Sequence, residues 1–249
     1  MLPKIILAML LVVLAACTPA STPSSSAPTP TFIWYVQVDV EVDYLRPLFN
    51  LCAQQNPAIG IVLVNESYAD TRTVDFFFHW GVSEPETAQE YDAVLSTDHL
   101  TIIVHPNNPV SSLTVEDLRS IYQNSIREWN ELDTSAGFLE QIEVWRYLPE
   151  RAIQQDFETL LETPALRNPF AMLAPDPDAM RQAVSEKPAA IGFLPARWLD
   201  ASVKPLIIKN VTEEVLSQPI LVTYSGEPDT LKQNWLLCIQ DVLERTRVK

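Results

Sequence analysis

The segment His99–Leu132, HLTIIVHPNNPVSSLTVEDLRSIYQNSIREWNEL, encodes a strand, a hard stop and a capped helix in succession. Leu100–Val104 is an unbroken apolar, β-branched run of the kind a buried strand shows. Pro106 and Pro109, with Asn107 and Asn108 between them, end it, because proline donates no backbone hydrogen bond and Asn-Pro favours a turn. A helix is expected next. Thr114 is a good N-cap, Asp117 stands at N3 where its carboxylate can reach back, and Leu113 and Leu118 have the spacing of a hydrophobic staple. Leu118, Ile121 and Tyr122 form one apolar face, and Trp129 is placed to seal the far end.

Outward from this segment, strands and helices alternate. Phe32–Val38, Ile59–Val64 and Thr73–Phe78 read as strands, with Tyr44–Gln55 helical between the first two. Ile59–Val64 is apolar throughout, as in a parallel sheet buried on both faces. After the central segment, Ile142–Trp145 reads as a strand, Ala152–Leu161 as a helix, and Asp176–Ser185 as a helix capped by Asp176 with Pro177 at N1. Ala190–Leu194, Val203–Ile208 and Ile220–Val222 read as strands, and Leu231–Arg245 as a closing helix. Strand–helix–strand units of this kind wind right-handed into an α/β fold. Twenty prolines against five glycines imply fixed turns and exclude a glycine-rich phosphate cradle.

The N-terminus is an address. Lys4 precedes the apolar run Ile5–Leu14, which is too short for a normal membrane span. Leu14-Ala15-Ala16-Cys17 reads as a bacterial lipobox, which makes 1–17 a lipoprotein signal peptide with its lipobox, cut before Cys17, the lipidated first residue of the mature chain. Residues 18–31 are rich in Ser, Thr and Pro and form a tether. This arrangement predicts an extracytoplasmic protein held to the cell membrane through its N-terminal lipid. The formal net charge is −15, a surface that disfavours nucleic acid and anionic lipid heads. Cys52 and Cys238 are the remaining cysteines; in an exported chain they either bridge or stay as two separate buried thiols.

The central segment resembles the part of periplasmic-binding-protein-like domains of the phosphate-binding type at which the chain first crosses into its second lobe. Ile102–Pro109, Leu113–Tyr122 and Trp129 match, in order, that family's apolar strand, Asn-Pro turn, "L-T-x-E-x-L-x-x-I-Y/F" helix and "W". Ala190-Ile191-Gly192-Phe193-Leu194-Pro195 resembles the family's "A-I-G-Y" strand, where the chain crosses back. The resemblance implies a two-lobed α/β fold with two hinge crossings, each lobe a mixed, mostly parallel sheet flanked by helices. Lobe I would take residues 32–103 and 196–249, and lobe II residues 104–195. It further implies a monomeric, non-catalytic solute-binding protein of an ABC-type uptake system, partnered by an ABC permease and needing no cofactor or metal. The alternative is a binding-protein-like surface lipoprotein with a sensory or interaction role and no transported ligand.

Ligands of open α/β sheets sit beyond the carboxyl ends of strands. That rule nominates loops 39–43, 79–83, 105–109 and 146–151, and from them Asp39, Glu41, His79, Trp80, Asn107, Arg146 and Arg151 as ligand contacts. Each has a plainer role available. Asp39, Glu41 and Asp43 can be solvated acids that complement the next helix, His79 and Trp80 ordinary packing, and the arginines ion-pair partners. The phosphate-binding relatives carry Ser/Thr in the first loop and an arginine followed by "G-S-G-T" in the last. Arg146 matches the arginine. The first loop here is acidic, the last reads Arg146-Tyr147-Leu148-Pro149-Glu150-Arg151, and Glu150 stands near the hydroxyl positions. A carboxylate there repels phosphate, so the expected solute is small and organic, carrying a carboxylate or both signs of charge.

Overall fold

The computed structural model describes residues 30–65, 74–81, 90–132, 138–163, 168–226 and 229–246. The leader, Cys17, residues 18–29 of the tether and residues 82–83 of the second nominated loop lie outside them. The first lobe opens with β1 (Phe32–Val38), a 3₁₀ turn over 40–45, α1 (Arg46–Ala53), β2 (Ile59–Val64) and β3 (Phe76–Trp80). β1 pairs in parallel with both β2 and β3. The α-helix starts at Arg46 rather than at the expected Tyr44, because Pro47 suits a first helical turn. β2 is the edge strand, not a strand buried on both faces: Val62 and Leu63 are 40% and 39% exposed.

β4 (Glu90–Val104) then runs for 15 residues, far beyond the apolar stretch that announced it. The second lobe follows with β5 (Ser112–Leu113), α2 (Val115–Tyr122), β6 (Glu143–Arg146), α3 (Ala152–Leu160), β7 (Met172–Leu173), α4 (Pro177–Glu186) and β8 (Ala190–Pro195). β9 (Lys204–Pro205), β10 (Ile207–Ile208), α5 (Glu213–Leu216), β11 (Ser217–Ser225) and α6 (Thr230–Thr246) complete the chain. Among the described residues the main sheet has the order β2-β1-β3-β11-β4-β8-β6-β7, with β9 also beside β4. It is parallel in both outer wings and antiparallel around β4. One strand therefore serves two lobes. Its residues 90–99 pair with β11 and its residues 100–104 with β8.

The buried apolar side chains fall into two clusters. One joins Trp34, Phe49, Phe76, Phe78 and Trp235 with their neighbours, and Leu95 is its last member on β4. The other begins at Leu100 and includes Tyr122, Trp129, Tyr147, Phe157 and Phe193. It also takes Val203, Leu206 and Ile208. The strands read over 203–208 thus pack in the second lobe and not the first, because β9 pairs with Ile103 and Val104 and β10 with β5. The packing changes over between Leu95 and Leu100 on the way out, and between Ile208 and Ile220 on the way back, a few residues from the expected 103/104 and well beyond 195/196.

Local signals hold where they are local. Thr114 and Asp117 form a reciprocal capping box, with bonds of 3.0 and 2.9 Å. Asp176 caps α4 through Ala179 N at 2.8 Å. Trp129 is fully buried and donates to the Ala189 carbonyl at 3.0 Å. Gly192 lets α4 approach β8: a Cβ there would lie 2.4 Å from Met180 Sδ.

Cys52 on α1 and Cys238 on α6 form a disulfide with Cα atoms 5.8 Å apart. It ties the first helix to the last across 186 residues, so it removes much freedom from the unfolded chain. Cys238→Ser should lower the unfolding free energy by about 2–4 kcal/mol. Mass-spectrometric mapping of thiol labelling on the denatured, unreduced protein should find both positions protected; labelling at both would contradict the bridge.

Candidate ligand cleft

Strand direction decides which loops meet. Trp80 at the end of β3 stands opposite Ile220, which faces Ser96, so β1 and β3 both end toward the junction of the lobes. β6 runs parallel to β8, whose last residue Pro195 pairs with Leu100, so Arg146 ends at the same junction from the other side. The carboxyl ends of β1, β3 and β6 therefore converge. The loop after β4 does not. β4 is antiparallel to β8, and Val104 lies beside Ile191, near the start of that strand. Asn107 is exposed at the far end of the second lobe, its amide donating to His105 Nδ1. The neighbouring Asn108 is the buried one, and its side chain fastens the turn to Pro188 O and Val110 N.

The first-lobe wall is the 3₁₀ turn. Asp39 N donates to Phe78 O, and Val42 and Leu45 anchor the turn in the core. Asp43 pairs with Arg46 toward solvent. Glu41 points the other way and is only 1% exposed. His79 also leaves the cleft: it lies on the sheet face opposite the aromatic core, stacked on Phe77 and bonded to Thr223 Oγ1 at 3.0 Å. Burial holds its imidazole below the usual value.

The second-lobe wall is the turn 146–151, strapped to α3. Tyr147 N donates to Gln154 Oε1 at 3.0 Å, and the fully buried Gln154 donates on to Glu158. Tyr147 OH donates to Phe193 O at 3.0 Å. Burial first, then the charges of Glu41 and Asp176, push this phenol's pKa well up. The Glu41 charge thus bears on Tyr147, in the turn that carries Arg146 and Arg151. Glu150 is exposed, whereas Glu41 is buried.

Two indoles join the walls. Trp80 Nε1 donates to Asp156 Oδ2 on α3 at 2.6 Å, and Trp198 Nε1, just after β8, donates to the Glu41 carbonyl at 2.8 Å. Trp80 is 2% exposed within the first core, so it clasps the lobes instead of offering a flat platform. Ala152 at the start of α3 packs against the first lobe's cluster. Asp156, Tyr147, Gln154 and Trp198 escape a reading based on strand ends. Tyr147 adjoins Arg146 and Trp198 closely follows the A-I-G-F strand, but nothing local in the sequence marks Asp156 as a contact between lobes. A separate cavity of about 580 Å³ lies beside the hinge, lined in part by Tyr44, Asp98, His99 and Arg197.

Burial raises the Asp156 carboxyl above its ordinary 3.8, against the opposing bond from Trp80. A carboxyl raised on folding stabilises fully only below its unfolded value, and that contribution is lost as pH rises through the folded value. Asp156→Asn keeps an acceptor for Trp80 without the charge. Its stability relative to the parent should therefore increase as pH rises from below 3.8. Urea midpoints of both proteins between acid and neutral pH measure this, and a difference that does not change with pH would refute it.

The PBP superfamily domain profile matches residues 81–230. No curated protein matches the sequence. Among solved structures, the fold is similar to a Clostridium perfringens protein with bound phosphate, at 18% identity and TM-score 0.74, covering 86% of this chain and 97% of that one. It is similar to an ABC-type phosphate transport receptor from Vibrio cholerae, at 19% identity and TM-score 0.62, covering 86% and 96%. It is also similar to the regulatory domain of Synechocystis PCC6803 CcmR in complex with 2-PG, at 13% identity and TM-score 0.59, covering 84% and 96%. With the profile matching more than half of the chain, across the central crossing and the return strand, this protein belongs to the PBP superfamily domain family.

Proposed function

We propose that the chain is a lipid-anchored, extracytoplasmic solute-binding protein of an ABC-type uptake system, non-catalytic and monomeric, which holds a small solute between its lobes and delivers it to a permease. The observation that carries this reading is the convergence of strand carboxyl ends from both lobes on one interface, bridged by the Trp80–Asp156 and Trp198–Glu41 bonds. Bonds of this kind are each worth about 1 kcal/mol net, small enough for a bound solute to tip the balance between open and closed lobes. The Clostridium and Vibrio proteins suggest phosphate. The residues here favour an organic solute instead. Arg146 and Arg151 offer a planar fork to a carboxylate. Asp39 and Glu41 on the opposite wall suit a cationic group, and the usual Ser/Thr and Gly-Ser-Gly-Thr donors are missing from the sequence.

A second reading, a sensory or interaction lipoprotein with no transported ligand, draws support from the burial of Glu41 inside the cleft. A thermal-shift screen of the full chain in detergent, across amino acids, organic acids and phosphate, separates the two. A bound solute at about 100-fold over its Kd stabilises by about 2.7 kcal/mol, a shift of roughly 5–10 °C. An organic carboxylate or zwitterion should give this shift, and Arg146→Ala should abolish it. A screen without a hit favours the second reading, and a hit that survives Arg146→Ala moves the site elsewhere. For the anchor, Cys17→Ser should move the protein from the membrane fraction to the soluble one; a variant that stays membrane-bound would show the leader to be a span.

A further inference from the structure

Glu41 is a buried charge on the wrong wall for a protein that captures anions. It is 1% exposed, its carbonyl is held by Trp198 of the second lobe, and its charge bears on the Tyr147 phenol. Tyr147 follows Arg146 directly and begins the turn that ends at Arg151, where Arg151 N donates to Leu148 O. Solvent does not reach the Nε atom of either arginine. Glu41, Arg146 and Arg151 all have interaction partners. Two other cations are committed elsewhere: Arg46 pairs with Asp43, and Arg197 lies over the Tyr44 ring at 5.7 Å and donates to Ser96 Oγ at 3.0 Å. A carboxylate taken out of water stays charged only with a cation in reach, and a guanidinium meets a carboxylate with two parallel N–H bonds.

We propose that the Glu41 side chain is an internal ligand, its carboxylate filling the anion position that Arg146 and Arg151 create at the end of β6. It thereby holds the lobes together without solute and keeps free inorganic anions out. This rests on reading the interface as the solute cleft. A solute carboxylate then enters by exchange, displacing Glu41 and replacing like with like. Phosphate entering by the same route would set a more highly charged ion beside the displaced carboxylate, with no cationic group of its own to offset it, and the repulsion would be strong so far from bulk water.

The test uses the full chain in detergent, with Glu41→Ala, and phosphate, sulfate and acetate as probes against chloride at equal ionic strength. The parent should give no binding heat with phosphate and no melting shift. Glu41→Ala should melt earlier in chloride, regain melting temperature in phosphate or acetate, and bind at least about tenfold more tightly than the parent. Adding Arg146→Ala should remove the gain. A folded Glu41→Ala protein, with parental circular dichroism, that responds to none of the three anions overturns the proposal. So does tight phosphate binding by the parent. If the variant does not fold in chloride, refolding in phosphate decides: recovery supports an anion taking the place of Glu41, and no recovery in any anion overturns it. A solute screen that fails on the parent leaves this gain of anion binding intact, so the two readings fail separately.

Discussion

Fifteen residues of a single strand are hydrogen-bonded into both lobes, and the rest of the architecture follows from that sharing. The hand-over takes one step: His99 faces Ser217 of β11, and Leu100 faces Pro195 of β8. Each ladder bond contributes about 1 kcal/mol net, and their sum along the strand prevents the lobes from separating by slippage. The polar stretch Ser96–His99 leads to this hand-over and lies next to the register shift between Ile220 and Leu221. Asp98 reinforces it. Only 4% exposed, its carboxylate accepts from His99 N at 2.8 Å and from Arg197 N at 3.3 Å, and so joins the outgoing strand to the residues just after β8. Burial raises its pKa while those two amides oppose the rise.

Among the described residues, the lobes are joined away from the hinge by two indole hydrogen bonds and by the Tyr44–Trp198 ring contact at 6.2 Å. An indole suits this task because its body adds to one core while its N–H reaches across. Trp80 does so from the first lobe and Trp198 from the second. Both acceptors, a carboxylate and a carbonyl, can take water when the bond opens, so opening leaves no buried polar group stranded. A large apolar interface would instead lock the lobes, since about 25 cal/mol is lost for each Å² of apolar surface re-exposed. Ala152, the small side chain at the tip of α3, keeps that term low where the second lobe touches the first core.

The sequence was legible where the determining contacts are short-range. The capping box at Thr114 and Asp117, the Asp176 cap and the apolar strands at 100–104 and 190–195 all depend on residues within a few positions. The first half of β4 was not legible, because Ser96, Thr97, Asp98 and His99 break the apolar pattern and their strand pairing comes from β11, over a hundred residues later. Strand direction was equally hidden. An apolar run does not say whether it lies parallel or antiparallel to its neighbours, so a rule about carboxyl ends sent Asn107 to the cleft when β4 points it away. The acidic loop misleads for another reason. Read as extended, residues 39, 41 and 43 share a side; in a 3₁₀ turn, with three residues per turn, Glu41 goes inward and Asp43 pairs outward with Arg46.

Charge at two length scales then bears on what such a cleft can take. At long range the net charge of −15 repels any anion, and at physiological salt that field fades over about 8 Å. In the proposed cleft the balance is local, with Arg146 and Arg151 in the second-lobe turn and Asp39 and Glu41 in the first-lobe loop. The same fold holds phosphate in a Clostridium protein and 2-PG in a Synechocystis regulator, so the fold does not choose the ligand. The side chains at the strand ends do. If each guanidinium is paired within the protein, as proposed, charge alone gives an incoming anion little advantage, because it exchanges one ion pair for another. Net affinity must then come from what else the solute brings: hydrogen bonds to the 146–151 turn, apolar surface buried between the indoles, or a cationic group for the carboxylate it displaces. An inorganic oxyanion such as phosphate brings only the hydrogen bonds, and a small organic zwitterion can bring all three.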